Sequence, residues 1–578
     1  MPYLAMLQAA NTVADVANLL GYQTSVLTYI LYSKVAPAKF QTFQIPKKSG
    51  GTRTIEAPNP ILKGLQRRLS EVLQDCDEEI RETYGRHDGG ARPDKVTHGF
   101  VRRRSIITNA HQHRRQKLVF NLDLDDFFPS INFGRVRGFF IRDKNFSLQP
   151  AVATVLAQIA CAGNHLPQGS PCSPAIANLI GHVLDVHLVR LASMNGCRYT
   201  RYADDLTFST NKRAFPAPIA VRLDGEAHRW AVGATLAHLI KRCGFRVNSG
   251  KTRMQYRASR QEVTGLVVNE KVNVPSDYRR AVRAMVHRLF MTGSFDVGRT
   301  AKAASGVNAG KAPGTLQMLH GMLAFIDSID VYNRKLASQE GAAELSSKEL
   351  TYRRFLLFKD FYVAPAPVLV CEGKTDNVYL THAIRRLAEL VPKLASISTA
   401  GKVTLDVRRY RYADRSTGRI LGIGGGDGDL RKLLPTYRDA LKRFKAPGLT
   451  SPIIVLIDND GAAKRMLDTI KQLNGSVPDR TAPFIHVLAN LYVVLTPLPP
   501  GATSSTIEDL FDAPTRAIKL NGRSFNPSNN RSPTEYGKAD FAYQVVQPNA
   551  DAIDFRGFEP LLQKLSLVVE AHSKQGAP

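Results

Sequence analysis

The chain has 578 residues, 43% hydrophobic and 22% charged, which excludes a disordered protein and predicts two to four folded domains. Its 78 Lys and Arg residues outnumber 50 Asp and Glu, and the formal charge of +28 favours a polyanionic partner such as nucleic acid. The six cysteines form no Cys-x-x-Cys pair, which argues against a zinc ribbon or a disulfide framework and indicates reduced, cytosolic thiols.

The sequence shows no segment that we judge long and apolar enough to span a membrane, and no secretion signal at its N-terminus. We therefore expect a soluble, intracellular protein without a membrane partner.

The N-terminal part predicts helical and then strand structure. Residues 4–33 place apolar side chains at helical spacing and predict one helix that serves packing. The segment Phe43–Ile55 predicts two strands around a Gly-rich turn and carries Lys47, Lys48 and Arg53. It is either a basic surface hairpin or a phosphate-binding one, for which the guanidinium fork of Arg is well suited.

Two later segments bring acids to the ends of apolar runs. Leu118–Ile131 is a strand-like run that delivers Asp123. Arg201–Ser209 predicts two short strands joined by a tight turn, with Asp204 and Asp205 at the tip. The acid pair alone fits a solvated turn. Together, the three carboxylates fit two-metal phosphoryl transfer, in which two Mg²⁺ ions lie about 4 Å apart.

Between these acids lies the Gly/Pro/Ser loop Leu166–Pro174, and the three segments together resemble motifs A, B and C of reverse transcriptases, in that order. The resemblance implies that Phe128 is the steric gate that excludes ribonucleotides, whereas neighbouring Phe127 fits a core residue. It also implies that Gln168 and Gly169 contact the template and the nucleotide sugar.

The same resemblance assigns cationic side chains to the incoming nucleotide. The hairpin at Phe43–Ile55 resembles the fingers hairpin, which implies that Lys47 and Arg53 bind the triphosphate, with Lys48 equally placed. Val247–Thr252 resembles motif D, whose Lys251 could protonate the pyrophosphate leaving group. An ordinary exposed lysine is the alternative for Lys251.

Two further elements narrow the resemblance to the retron reverse transcriptases. Asn109, Ala110 and His113 fit the NAxxH element of that family, and Val263–Gly265 fits its VTG element. The resemblance implies RNA contacts for Asn109 and His113. A capping or core histidine is the alternative for His113.

After Pro275 the sequence predicts an amphipathic helix with arginines largely off its apolar face, among them Arg279 and Arg283. In the resembling family this helix belongs to the thumb, so we expect these two residues to bind RNA.

A second domain is predicted after a charged, helix-prone stretch. Val368–Asn377 and Pro452–Asp460 are apolar runs that end in Glu372 and in Asp458 and Asp460, which predicts a parallel sheet with acids at its carboxyl edge. Acids that cap following helices are the alternative, and they fit one of the three but not all.

This second pattern resembles a Toprim domain, with Glu372 in its first motif and Asp458 and Asp460 as its DxD pair. The tail resembles the distal part of overcoming-lysogenisation-type Toprim nucleases. That likeness implies a second metal ligand in Glu508 and transition-state stabilisation by Lys538. An ordinary surface Glu and Lys are the alternative.

We therefore predict an α+β right-hand polymerase with fingers, palm and thumb, followed by an α/β Toprim domain with a parallel sheet. The predicted boundaries are 1–330 for the reverse transcriptase, 331–366 for a helical linker and 367–578 for the Toprim domain.

The implied function is an RNA-directed DNA polymerase that makes branched RNA–DNA from a cognate structured RNA, using dNTPs and Mg²⁺. A Mg²⁺-dependent Toprim effector nuclease would act on a nucleic-acid target, RNA such as tRNA being one candidate, in anti-phage defence in the bacterial cytoplasm. The runner-up is a maturase-like or diversity-generating reverse transcriptase with a non-catalytic, nucleic-acid-binding Toprim module. A third class is a structural RNA-binding scaffold, and homo-oligomerisation stays open.

Overall fold

The computed structural model describes residues 2–33, 38–46, 50–85, 96–223, 229–297, 312–337, 344–412, 416–528 and 530–574. By their internal contacts these residues form two compact units, one of residues 2–279 and 329–337 and one of residues 280–297, 312–328 and 344–574. Residues 280–297 and 312–328, which the sequence interpretation gave to the polymerase, thus group with the second unit. The predicted boundaries stay a prediction.

Up to residue 275 the helices are α1 (Tyr3–Ala9), α2 (Val13–Leu20), α3 (Thr24–Tyr32), α4 (Pro60–Gly85), α5 (Ile106–Gln112), α6 (Phe133–Arg142), α7 (Pro150–Ala160), α8 (Ser173–Met194) and α9 (Ala234–Arg242). The strands in this part are β1 (Phe40–Pro46), β2 (Thr52–Pro58), β3 (Leu118–Asp125), β4 (Arg198–Tyr202), β5 (Asp205–Thr210), β6 (Ala220–Arg222), β7 (Trp230–Val232), β8 (Arg246–Tyr256), β9 (Glu262–Val263) and β10 (Leu266–Val267).

The single helix predicted over residues 4–33 is wrong, because the segment forms three short helices. The Thr12 side chain caps α2 by accepting a hydrogen bond from the backbone N–H of Asp15, and the Asp15 carboxylate in turn accepts one from the backbone N–H of Thr12. Gly21 then ends α2 in the left-handed conformation, at a φ of 76°. These capping residues break the helical run while the apolar spacing continues across it.

The centre of the first unit is a four-stranded antiparallel sheet in the order β4-β5-β3-β8. Six of the eight residues of β3 are buried, as expected for a strand covered on both faces. The helix α8 packs in the same core, and 67% of its most apolar window is buried. Our expectation that no segment is long and apolar enough to cross a membrane is wrong for α8, which passes on length and composition while serving as a core helix.

The chain continues with α10 (Ser276–Thr292), β11 (Asp296–Val297), β12 (Ala312–Pro313) and α11 (Leu316–Leu336). The later helices are α12 (Ser347–Leu357), α13 (Asp376–Arg386), α14 (Ser416–Leu421), α15 (Asp427–Leu441), α16 (Gly461–Asn474), α17 (Ala513–Arg516), α18 (Lys538–Asp540) and α19 (Glu559–Lys574). Wider π-helical turns cover Phe358–Tyr362 and Phe541–Val546, and tight 3₁₀ turns cover Ala388–Leu390, Ile507–Leu510 and Arg556–Phe558. The later strands are β13 (Val368–Cys371), β14 (Ala395–Ile397), β15 (Val403–Leu405), β16 (Arg408–Arg409), β17 (Ile453–Ile457), β18 (Ile485–Leu488), β19 (Leu491–Leu495), β20 (Ser524–Phe525) and β21 (Glu535–Tyr536).

The second unit contains a five-stranded sheet in the order β16-β13-β17-β19-β18. Its first four strands run parallel and only β18 is antiparallel to its neighbour. Every residue of β13, β17 and β19 is buried, so these strands read as continuous apolar runs in the sequence. The acids Glu372 and Asp458 directly follow β13 and β17, which places both at the carboxyl edge of the sheet.

Candidate catalytic sites

The predicted hairpin at Arg201–Ser209 is confirmed as β4 and β5, joined by Ala203 and Asp204. Ala203 has a φ of 56°, the left-handed value that tight hairpin turns require at the start of a two-residue loop. Asp204 therefore lies in the turn and Asp205 is the first residue of β5. Both acids are held at the tip of a short hairpin.

The sheet register brings the third acid of the first unit to the same place. Asp123 on β3 lies directly opposite Asp205 on β5, and the backbone N–H of Leu124 donates to the carbonyl of Asp204 at 3.0 Å. Asp123 is only 6% exposed. Asp123 and the adjacent pair Asp204 and Asp205, which are far apart in the chain, thus share one end of the sheet.

Burial and the neighbouring carboxylates disfavour the ionised forms of Asp204 and Asp205. Burial, and then the charges of Asp204 and Asp123, raises the pKa of Asp205 to about 7. Burial and Asp123 likewise raise the pKa of Asp204. The ammonium of Lys251 lies 2.8 Å from Asp123 Oδ2, and this hydrogen bond raises the pKa of Lys251. The cluster therefore gains from positive charge, and an ammonium already supplies part of it.

The carboxylates of the first unit are candidate ligands for a divalent cation. Carboxylate oxygens are the ligands that Mg²⁺ prefers, and three of them meet here beside one bound ammonium. Among the described residues no three His, Cys, Asp or Glu side chains already converge closely enough to enclose an ion. The donor set fits a divalent cation in its chemistry.

A buried ion pair holds the hairpin in place. Both side chains of the pair Arg201 and Asp185 are 0% exposed, and their atoms Nη2 and Oδ2 lie 2.8 Å apart. Burial opposes ionisation of Asp185, but the guanidinium of Arg201 outweighs it and lowers the pKa. Thr97 and Tyr199 also donate hydroxyl hydrogen bonds to Asp185. Sequence reasoning missed this pair, although a lone Asp inside the apolar helix α8 was a signal for it.

The helix α8 makes room for this guanidinium with a glycine. A Cβ added at Gly181 would lie 2.9 Å from Arg201 Cζ, which is closer than such atoms approach. Gly181, Asp185 and Arg201 therefore form one fitted arrangement, with the arginine filling a notch in the helix.

The retron-like elements pack beside the hairpin. His113 is 0% exposed, and its Nδ1 and Nε2 lie 2.7 Å from the hydroxyls of Ser209 and Thr200. Burial lowers the pKa of His113 to about 3, so the ring is neutral. Asn109 is 1% exposed. The expected RNA contact is therefore corrected for both side chains, which are enclosed by protein, and His113 supports the two strands of the hairpin.

The VTG element lies against α5, the helix that contains Asn109 and Ala110. Thr264 Oγ1 donates to the carbonyl of Ile106 in α5 at 3.2 Å, and Thr264 and Gly265 have φ values of 48° and 79°. The two elements that suggested a retron enzyme are thus neighbours in the fold, where they link α5 to the β9–β10 turn.

The structure describes Arg53 and Phe128 among the predicted nucleotide contacts. Arg53 is exposed on β2, and its charge is close enough to Asp204 to offset a small part of the rise in the pKa of that carboxyl. Lys47 lies outside the described residues, as does Lys48. Phe127 is 3% exposed and stacks on Phe245, which fits a core residue. Phe128 is partly exposed, and its role as the gate stays a prediction.

The loop of motif B packs on the predicted fingers hairpin. The backbone N–H of Glu56 donates to the carbonyl of Gln168 at 2.8 Å. Gly169 has a φ of 123°, and an added Cβ would lie 3.0 Å from the carbonyl oxygen of Glu56. A glycine is needed here both for its conformation and for this close approach.

Arg279 and Arg283 are exposed on α10, where a polyanion can reach them.

The second unit contains another cluster of acids. The backbone N–H of Asp458 donates to Glu372 Oε2 at 3.3 Å, and Ile507 N–H donates to Asp458 Oδ1 at 2.9 Å. Glu508 is 1% exposed, and its Oε2 lies 3.0 Å from the ammonium of Lys538. The predicted residues from strands β13 and β17 and from the distal tail are therefore neighbours.

The electrostatics of this cluster resemble those of the first. Burial, and then Asp376 and Glu508, raises the pKa of Asp458 to about 8. Burial raises the pKa of Glu372, with Asp460 adding to the effect. Asp460 itself is thus near Glu372, although it is not one of the most buried acids.

Asp376 is the member that sequence reasoning missed. It is 5% exposed, its carboxylate accepts a hydrogen bond from Gly373 N–H at 2.7 Å, and burial and Glu508 raise its pKa to about 6. The signal was its place four residues after Glu372, but an acid in the first turn of a helix is ordinary. The Oε1 atom of Glu508 is buried without a hydrogen-bond partner, an observation that a bound cation would explain.

Comparisons with known proteins agree with the geometry of the first unit. The profile of the reverse transcriptase (RNA-dependent DNA polymerase) family matches residues 45–269. The chain is 33% identical to the retron Mx162 reverse transcriptase of Myxococcus xanthus over 338 residues. The aligned region covers 54% of this chain and 63% of that protein. Over 297 residues the chain is 36% identical to the retron Mx65 reverse transcriptase of the same organism, covering 48% and 63%.

The chain thus spans about 63% of the length of these two relatives. The retron Ec86 reverse transcriptase of Escherichia coli is 30% identical over 296 residues, which are 50% of this chain and 82% of that protein. The predictions of a reverse transcriptase palm and of a retron-type enzyme are confirmed by these matches. The chain belongs to the retron reverse transcriptase family.

Proposed function

We propose that residues 1–330 form an RNA-directed DNA polymerase that copies a cognate structured RNA with dNTPs. The observation that carries this proposal is the meeting of Asp123, Asp204 and Asp205 at one end of the palm sheet, with raised pKa values for the latter two. Mg²⁺ held by these carboxylates would activate the attacking hydroxyl and neutralise charge on the phosphates.

The surrounding side chains have distinct roles in this proposal. Arg53 binds the triphosphate through its guanidinium, which offers paired donors to phosphate oxygens. Lys251, whose pKa is raised by Asp123, keeps its proton available for the pyrophosphate leaving group. Phe128 occupies the space under the sugar, and Gln168 and Gly169 line the neighbouring template side.

The polymerase product is proposed from the family alone. Priming from a 2′-OH of the same RNA would give branched RNA–DNA, with Arg279 and Arg283 among the cations that hold the RNA. The exposed positions of both arginines support this part of the proposal.

For residues 367–578 we propose a Toprim effector nuclease, connected through residues 331–366. Five clustered acids, Glu372, Asp376, Asp458, Asp460 and Glu508, support a Mg²⁺ site for phosphodiester cleavage, with the ammonium of Lys538 placed to stabilise charge. The target would be a nucleic acid, with RNA such as tRNA as one candidate. In a bacterial cytoplasm the branched product would restrain this nuclease until phage infection disturbs it.

The test separates the two acid clusters in one strain background. Glu372→Ala should leave branched product at the wild-type level and abolish phage protection, because it removes a ligand of the second cluster only. Asp439→Asn is the matched control, since Asp439 is an exposed acid of the same unit that pairs with Lys442. Normal protection by the Glu372→Ala strain would overturn the effector proposal, and normal product in an Asp205→Asn strain would overturn the polymerase assignment.

A further inference from the structure

The segment from Thr97 to Phe100 lies along the catalytic hairpin. The backbone N–H of His98 donates to the carbonyl of Arg201 at 2.8 Å. A Cβ added at Gly99 would lie 2.6 Å from the backbone nitrogen of Ala203, the residue that precedes Asp204. The backbone of Gly99 therefore touches the turn that carries the acid pair, and no larger residue fits at this position.

This segment is held from two further sides. The side-chain amide of Asn178 donates to the carbonyl of Gly99 at 2.7 Å, and Arg104 Nη1 donates to the carbonyl of Thr97 at 2.6 Å. Its position beside the turn is thus fixed by hydrogen bonds to α8 and to its own loop. The side chain that follows Gly99 is presented from a fixed base.

Phe100 has an unusual backbone and an unusual exposure. Its φ is 59°, a left-handed value that bulky residues rarely adopt, and its side chain is 44% exposed. A glycine or asparagine would meet the conformational demand with less strain. An exposed aromatic ring kept at such a position, beside catalytic residues, indicates that the ring itself is needed.

The ring of Phe100 faces the predicted steric gate. The ring centroids of Phe100 and Phe128 lie 6.1 Å apart at an interplanar angle of 50°, a tilted arrangement within the favourable range for aromatic pairs. On another side, Phe128 contacts the buried ring of Phe127 at 5.5 Å. The gate is thus bordered by one buried ring and by one exposed ring that comes from a separate segment.

We propose that Phe100 is a positioning residue for nucleotide selection, because its ring holds the ring of Phe128 in place. Removing the ring lets Phe128 swing away from the sugar, and a ribose 2′-OH then fits the site. This inference rests on the proposed polymerase activity and on the gate role of Phe128.

The test measures incorporation of dGTP and rGTP on one RNA template by the full-length chain. Phe100→Ala should lower the ratio of kcat/KM for dGTP over rGTP by about tenfold, the scale on which apolar contacts discriminate between substrates. Phe100→Tyr should retain the wild-type ratio. Phe100→Gly should behave as Phe100→Ala, although it relieves the backbone strain, so it separates the role of the ring from that of the loop conformation.

Arg103→Ala is the matched control, because Arg103 is exposed in the same loop and has a φ of 61°. Its ratio should not change. In a Phe128→Ala background, Phe100→Ala should add nothing further, since the residue acts through the gate. The same ratio for wild type and Phe100→Ala, or an additive effect in the double variant, would overturn the inference. If the wild-type chain incorporated neither nucleotide, the proposed polymerase function itself would be overturned.

Discussion

The two acid clusters of this chain have similar electrostatics but are assembled differently. In the first unit, Asp204 and Asp205 are adjacent in a hairpin, and antiparallel pairing sets Asp123 opposite Asp205. In the second unit, Glu372 and Asp458 follow parallel strands and are joined by Asp376 and by Glu508 from a distant turn. In both clusters an ammonium pairs with one of the acids, through Lys251 or Lys538.

The difference shows what each arrangement requires of the rest of the chain. The hairpin cluster depends on a local turn and on the buried pair of Arg201 and Asp185 beneath it. The parallel-edge cluster depends on crossovers that bring separate segments to one edge of a sheet. We therefore expect the hairpin cluster to be disturbed by single substitutions in the residues that hold the hairpin, such as Arg201. We expect the parallel-edge cluster to be disturbed mainly by substitutions of its own acids.

The largest expected effect tests whether the clusters act independently. Asp205→Asn keeps the size of the side chain but removes a ligand, so DNA synthesis should fall by about 10³-fold or more, the scale of lost metal stabilisation. RNA binding should remain nearly intact because it rests on many Lys and Arg contacts. Primer-extension rates and RNA affinity measure the two effects. Asp458→Ala with Asp460→Ala should leave synthesis unchanged, and a matching loss there would show that the sites are coupled.

The next effect concerns the support of the hairpin. Arg201→Ala leaves Asp185 buried without its charge partner, which should lower the free energy of unfolding by about 3–5 kcal/mol. Denaturant unfolding of the full-length chain measures this change. Arg556→Ala is the control, because the pair Arg556–Asp554 is exposed to solvent and its loss should change the free energy of unfolding far less. If the two variants lowered the free energy of unfolding equally, the buried pair would stabilise the protein no more than an exposed pair does.

A smaller effect should appear in the pH dependence of the two clusters. Asp458 has a folded pKa of about 8 against an ordinary value of 3.8, so the folded state holds its proton more tightly than the unfolded state does. Its contribution to stability is fully present below the ordinary pKa and is lost as pH rises through about 8. For Asp205, with a folded pKa of about 7, the loss is complete about one pH unit earlier.

The measurement compares thermal unfolding of wild type and Asp458→Asn in EDTA. At pH 8.5 the variant should be more stable by more than about 1 kcal/mol, the value of one pKa unit, and the difference should shrink at pH 5. Mg²⁺ should stabilise the wild type at pH 8.5 more than the variant, since a cation offsets the buried charge. A difference that does not change with pH would show that Asp458 is ionised without strain.

The smallest effect lies on a surface rather than in a cluster. Arg279→Gln or Arg283→Gln should weaken binding of the cognate RNA by less than about tenfold, and each should reduce the salt slope of log K by about 0.7–0.9. Titrations at several salt concentrations check this. Arg438→Gln, an exposed arginine of α15, is the control. If one of these substitutions lowered RNA affinity as strongly as removal of a metal ligand lowers DNA synthesis, RNA binding would depend on a few residues rather than on many.

The sequence predicted best what is local. The hairpin with its acids and the apolar strands that end in acids follow from short-range patterns. Long-range relations were not accessible in the same way. Asp185 and Asp376 are single acids in helices, and only the fold shows that each meets partners from other segments.

Other misses have a similar physical cause. The three helices at the N-terminus share one apolar period, and only the geometry of Thr12 and Gly21 separates them. His113 was assigned to RNA because a motif cannot distinguish a histidine that contacts a ligand from one that is enclosed by hydroxyl groups. Burial is set by how strands and helices pack, and a motif does not encode it.

The notch in α8 has a consequence for how this protein can evolve. Gly181, Asp185 and Arg201 fit one another so closely that a change at any one of them leaves a clash or an unpaired charge. Replacing a buried pair jointly by apolar side chains is often neutral, yet every single step towards that state passes through a less stable intermediate. These positions should therefore show strong epistasis, and descendants of this chain would retain or exchange them as a set.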